Sequence, residues 1–155
     1  MTQEQYDALM AQVKAWPEWL LRAVTLWAEA RGESEKGKRA VAYVMKQRQE
    51  DKQLWNDILG PKQFSCWNYY QKTKSVDPNF MKMLSIDIYG DKAFQECIQI
   101  TFQVMFGWAP NPFQGADHYY AKNYPYPHGD KPDWAVNMGR VGEEGAHVFL
   151  NSKVA

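Results

Sequence analysis

The pattern of apolar positions divides the chain near Trp108. Upstream of it, apolar residues recur at helical spacing. Thr2 and Gln5 form a capping-box pattern before "QYDALMAQVKAW", which predicts a first helix. Pro17 suits the first turn of a second helix running through Trp19, Leu20, Ala23, Leu26, Trp27 and Ala30, with Gly32 as its stop. Ser34 stands where a third helix needs its N-cap, and Gly37 is a weak point in the first turn. Ala40, Val41, Val44, Met45 and Arg48 then share one stripe. A shorter helix is predicted over "QLWNDIL", residues 53–59, and a long one over "DKAFQECIQITFQVMFGW". In the latter, Phe94, Cys97, Ile98 and Phe102 form the apolar stripe; its β-branched centre leaves a strand as the minor alternative.

Downstream the pattern breaks. Residues 107–146 hold five of the eight prolines and six of the ten glycines, among many aromatics. Long helices are excluded there, and so is a disordered tail, which would leave Phe113, Tyr119, Tyr120, Tyr124, Tyr126 and Trp134 in water. The expectation is a loop-rich segment packed over the helices, with short strands at "GADHYYA" and "AHVFLN". Loops on a rigid helical base are a common setting for a binding cleft.

With 155 residues the chain has enough length for one domain with a core of its own. It is 45% hydrophobic and 23% charged, a globular composition, and no apolar run approaches the roughly 20 residues that cross a bilayer. The first residues lack the pattern of a secretory signal. Eighteen basic residues balance eighteen acidic ones, which argues against nucleic acid as the partner. The two cysteines, Cys66 and Cys97, read as buried thiols rather than a disulfide. The aromatic excess is the informative feature. Seven Trp, nine Tyr and seven Phe either fill the core or line a cleft that grips weakly polar faces such as sugar rings.

Among candidate chemical groups Glu29 comes first. It follows Leu26, Trp27 and Ala28, near the phase of Trp19 and Leu26. A carboxyl there is either a solvated helix end paired with Arg31 or Arg39, or an acid whose neighbours strip its hydration and favour the protonated form. Glu33 is the competing acid, with a local structural role beside Ser34 as its simplest reading. In "PKQFSCW", Gln63 and Ser65 offer hydrogen bonds to a sugar, and Phe64 and Trp67 offer ring faces; a polar turn with two aromatic anchors is the alternative. In "GADHYYA", an extended chain puts His118 and Tyr120 on one face and Asp117 and Tyr119 on the other. His118, His128 and His147 do not show the spacing of a helix-borne zinc site, and no metal or cofactor is expected.

Taken together these blocks resemble the SleB/CwlJ-type cell wall hydrolases, which include spore-cortex lytic enzymes and phage endolysins. "AEARGES" followed by "GKRAVAYVMKQR" is similar to the family's E-A-R-G-E segment and the helix after it. "KQFSCW", "ADHYYA", "PDWA" and "GAHVFL" follow in family order, over roughly residues 24–150. Gln47, Asp117 and Leu150 depart from the family pattern, which has Asn, Thr and an aromatic there; Asp117 is either an added carboxylate near the cleft or a surface substitution.

The resemblance implies a mainly α, lysozyme-like domain over residues 1–155, with residues 1–23 as a helical extension packed on it. It implies cleavage of the β-1,4 bond between N-acetylmuramic acid and N-acetylglucosamine in peptidoglycan, with Glu29 as the acid. The lytic transglycosylase route is expected ahead of a muramidase. Gln63, Phe64, Ser65, His118, Tyr119 and Tyr120 would contact the glycan, while Glu33, Asp117, Trp134 and His147 would support it. The expected protein is a monomeric endolysin, held in the host cytoplasm until a holin releases it to the wall. An N-acetylmuramoyl-L-alanine amidase and a non-catalytic glycan-binding or virion protein are the alternatives.

Overall fold

In the computed structural model, residues 1–50, 58–60 and 63–154 are described. Most of the helix predicted over residues 53–59 lies outside them. Helix α1, Gln3–Val13, begins at the capping box expected from Thr2 and Gln5. Helix α2, Glu18–Ala30, starts directly after Pro17. It ends one residue before Arg31, whose N–H bonds the carbonyl of Trp27, and Gly32 is not needed in a left-handed conformation. Helix α3, Glu35–Glu50, is capped by Ser34, whose Oγ accepts from the Gly37 N–H at 3.0 Å.

Helix α4, Phe80–Leu84, is a short element that the sequence pattern did not reveal. Helix α5, Lys92–Met105, is capped by Asp91 and is a helix throughout, in spite of its β-branched centre. Its buried stripe is Phe94, Cys97, Ile100, Thr101 and Val104. Ile98 and Phe102 are only partly buried, so the expected stripe lies too far to one side. Phe102 instead stacks on Trp19 at 5.7 Å.

Helices α2, α3 and α5 pack on one another and enclose the core. Leu26, Val41, Val44, Met45, Phe94 and Ile100 are almost completely withdrawn from water there, each worth ~1.5–3 kcal/mol. Lys38 reaches the edge of this core as a buried cation, tied to Glu96 of α5 at 2.6 Å. Helix α1 adds Met10 and Val13 to the core, and the Tyr6 hydroxyl donates to the Trp67 carbonyl at 2.6 Å.

The loop-rich part carries two small sheets. Strands β1, Tyr69–Tyr70, and β2, Ser75–Val76, form an antiparallel ribbon. Strands β3, His118–Ala121, β4, Gly139–Glu144, and β5, His147–Asn151, form an antiparallel sheet in the order β3-β5-β4. The strands expected at "GADHYYA" and "AHVFLN" are therefore present, and β4 is additional. Register pairs Tyr119 with Phe149 and Tyr120 with Val148. Phe149 enters the helical core, whereas Val148 and Leu150 form a second cluster with Ala135. No helix among the described residues is long and apolar enough to cross a membrane.

Candidate active site

Glu29 lies in the last turn of α2, half-buried, where strand β3 and the backbone at Cys66 converge on the helix. Its Oε2 accepts from the Tyr119 hydroxyl at 2.9 Å, and its Oε1 accepts from the Cys66 N–H at 3.4 Å. The second donor is available because Cys66 sits in a single 3-10 turn, Ser65–Trp67, whose first N–H groups have no partner within the turn. Helical phase alone groups Glu29 with Trp19. The structure separates them: Trp19 faces α5, and Glu29 faces this turn and β3.

A cleft of about 910 Å³ opens over Glu29. Gln63, Phe64, Ser65, His118, Tyr119, Tyr120, Trp134 and His147 all border it, and they make up half of the residues that line it beside Glu29. β3 is an edge strand, and the cleft follows that edge. Side chains from both faces of β3 consequently reach it, not one alternating pair alone. Tyr119 points inward beneath the carboxyl, its ring held edge-on by His147 at 4.9 Å. Burial, followed by the charge of Glu29, raises the Tyr119 phenol well above its ordinary range, so this hydroxyl stays a donor.

Two ring-face assignments are corrected. Phe64 is 2% exposed and lies under the Arg48 guanidinium at 5.1 Å, so its face is covered. Trp67 is equally buried, and its indole N–H donates to Thr25 Oγ1 at 2.9 Å inside the core. The exposed rings on the cleft are Trp134, Tyr124 and Tyr70. They come from segments with no strong periodicity, and only Trp134 was singled out in advance.

The supporting acids also differ from expectation. Glu33 does not border the cleft. Its carboxylate accepts from the Ala146 N–H at 3.2 Å and lies 3.6 Å from His147 Nδ1, clasping the β4–β5 turn to the start of α3. Asp117 is 2% exposed, neither a surface residue nor a cleft carboxylate. It bonds His118 Nδ1 at 2.8 Å and accepts from Ser152 through its N–H at 2.9 Å and its hydroxyl at 2.6 Å. Burial pushes the Asp117 carboxyl up, but these donors outweigh it, and the net position is below the usual value. Burial also lowers the His147 imidazole, against the opposing pull of Glu33 and Glu29.

Sequence reasoning missed Arg48 and Asp77 as site residues; both border the cleft. Arg48 is buried near the end of α3 and donates to the carbonyls of Asp117 at 2.7 Å and Gln63 at 2.8 Å. It thereby joins the two segments that flank Glu29. The signal was an arginine on an otherwise apolar stripe, since a buried guanidinium must have fixed acceptors. Asp77 Oδ1 accepts from the Asn79 N–H at 2.8 Å. Nothing in the pattern around it marked it.

Cys66 and Cys97 are free and buried. Burial, then the charge of Glu29, raises the Cys66 thiol well above its ordinary value; burial pushes Cys97 to about 12. Neither is placed to act as a nucleophile. Among the described residues no three His, Cys, Asp or Glu side chains converge on a metal position.

The family model described as Cell Wall Hydrolase matches residues 32–150, beginning just beyond Glu29. No curated protein matches the chain in sequence. Its fold is similar to the catalytic domain of the Bacillus cereus SleB protein, with a TM-score of 0.58 and 19% identity over 86% of this chain and 88% of that one. It is also similar to the catalytic domain of the germination-specific lytic transglycosylase SleB from Bacillus anthracis. There the TM-score is 0.59, with 17% identity over 88% of this chain and 98% of that one.

Proposed function

The chain belongs to the cell wall hydrolase family, and from that premise we propose that it cleaves the β-1,4 bond between N-acetylmuramic acid and N-acetylglucosamine in peptidoglycan, with Glu29 as general acid and then base. The observation that carries this reading is the Glu29 carboxyl at the floor of an aromatic-rimmed cleft, with a phenol bonded to one of its oxygens. Tyr119 fixes Oε2, and the longer contact leaves Oε1 the freer oxygen to deliver a proton.

Proton transfer to the glycosidic oxygen releases one sugar as the bond to the other breaks, through an oxocarbenium-like transition state. Glu29, now ionised, takes the proton of the attacking hydroxyl. On the lytic transglycosylase route this is the C6 hydroxyl of the muramic acid, which closes a 1,6-anhydro ring. The structurally similar Bacillus anthracis domain belongs to a lytic transglycosylase, which supports that route. Asp77 supports a second reading as a muramidase, because it puts another carboxylate on the same cleft. Hydrolysis through water ordinarily uses two.

Digestion of purified peptidoglycan, followed by mass spectrometry of the products, tests the proposal. Anhydro ends support the transglycosylase route and reducing muramic ends the muramidase. Free stem peptides would replace both with an amidase. Glu29→Gln should lower release by about a thousandfold; undiminished release by that variant would sink the assignment.

A further inference from the structure

His118 is held on two sides. Its ring lies against Trp134 at 5.6 Å, and its Nδ1 is 2.8 Å from Asp117 Oδ1. The Asp117 carboxylate meets three donors: the same Oδ1 takes the Ser152 N–H, and Oδ2 takes the Ser152 hydroxyl. An ionised carboxylate only accepts, so Nδ1 must be the ring nitrogen that carries the hydrogen. Nε2 has no protein partner among the described residues, and the ring borders the cleft. Asp117 is almost fully buried and does not itself border it.

We infer that Asp117 is a positioning residue: its carboxylate holds His118 in the Nδ1–H tautomer and so presents Nε2 to the cleft as an acceptor for a sugar hydroxyl or an acetamido N–H. The ligand class rests on the proposed function; the tautomer does not. A neutral imidazole offers one donor and one acceptor, and the bond made by one nitrogen decides the role of the other. Without Asp117 the ring could turn or exchange its hydrogen, and the cleft would then face a donor or a mobile ring. Ser152 serves as the internal control, because it bonds the same carboxylate and not the imidazole.

The test combines ring-nitrogen NMR of the resting protein, at about pH 8, with kinetics on a soluble glycan fragment. In the wild type, Nδ1 should carry the hydrogen and Nε2 should be bare. Asp117→Asn keeps an acceptor oxygen and should keep that tautomer. Asp117→Ala should move the hydrogen largely to Nε2 and raise KM about tenfold, with the smaller effect on kcat. Ser152→Ala should leave the tautomer in place and KM within about twofold of wild type. In a His118→Ala background, Asp117→Ala should add no further rise in KM.

A bare Nδ1 in the wild type, or a tautomer unmoved by Asp117→Ala, overturns the inference. An equal rise in KM in Ser152→Ala overturns it too, since that would be a general loosening of the strand end. If the wild type releases no glycan fragments, the proposed function fails, and the ring-nitrogen spectra still decide the role of Asp117. Should Asp117→Ala not fold, the wild-type spectrum decides it: a hydrogen on Nδ1 supports the inference and a bare Nδ1 overturns it.

Discussion

The Tyr119 hydroxyl lies 2.9 Å from Glu29 Oε2, across 90 residues of sequence. That bond joins the edge of the sheet to the end of α2, and with it the loop-rich half of the chain to the helical half. It depends on three further contacts. Phe149 anchors the strand beside Tyr119 in the core, His147 holds the ring edge-on, and Arg48 bonds the carbonyl of Asp117, two residues earlier. The carboxyl is thus positioned from outside its own helix.

Tyr119→Phe should therefore retain the fold and lose turnover. The ring keeps its packing, and only the hydroxyl donor to Glu29 disappears. A lost hydrogen bond to a charged group is worth ~1.5–3 kcal/mol, so kcat on wall glycan should fall about ten- to a hundredfold. Unfolding by denaturant should move little. A variant with full kcat would show that the phenol does not hold the acid.

Trp134→Ala should act on binding instead. The indole is 50% exposed at the cleft rim and lies against His118. An aromatic face contributes ~0.5–1.5 kcal/mol beyond its burial, so KM for a soluble glycan fragment should rise about three- to tenfold with kcat nearly unchanged. An unchanged KM would place the glycan elsewhere on the cleft.

Gly145 is a structural test of the Glu33 clasp. Its φ is +54°, and an added Cβ would run into the Glu33 carboxylate. Gly145→Ala must strain the β4–β5 turn and displace Glu33 from the Ala146 N–H. A cost of about 1–3 kcal/mol is expected from the backbone alone, read as a lower denaturant midpoint. Glu33→Gln, which can still accept from Ala146, should cost less.

How much of this was legible in the sequence depends on what each residue needed. The helix boundaries followed from local chemistry: Thr2 with Gln5, Pro17 and Ser34 act within a turn of themselves. β3 and β5 were legible because their apolar residues cluster. β4 was not, because its "GRVGEE" pattern offers one apolar side chain and is a strand only through its pairing with β5. Half of the cleft wall was legible through residue type, but the direction of each ring was not. Phe64 and Trp67 turn inward because Arg48 and Thr25 receive them, and both of those partners are distant in sequence. Asp117 was opaque for the same reason, since one of its two partners is Ser152, 35 residues on.

The last prediction concerns acid stability and follows from His147. Burial depresses this imidazole in the folded protein below its ordinary value of 6.5. The unfolded chain therefore binds a proton there first. Stability is complete above about 6.5 and is lost as pH falls below it, levelling off only once the folded protein also takes the proton. Asp117 contributes in the same direction but in a lower window. Its folded carboxyl is depressed, so its stabilisation is full above about 3.9 and is lost as pH falls through the folded value. Thermal unfolding of the wild type from pH 8 to pH 5 should show a falling Tm, and His147→Gln should flatten that fall. If the two curves run parallel, the imidazole is not the group that titrates, and the packing of His147 against Tyr119 and Phe149 carries no acid-labile element.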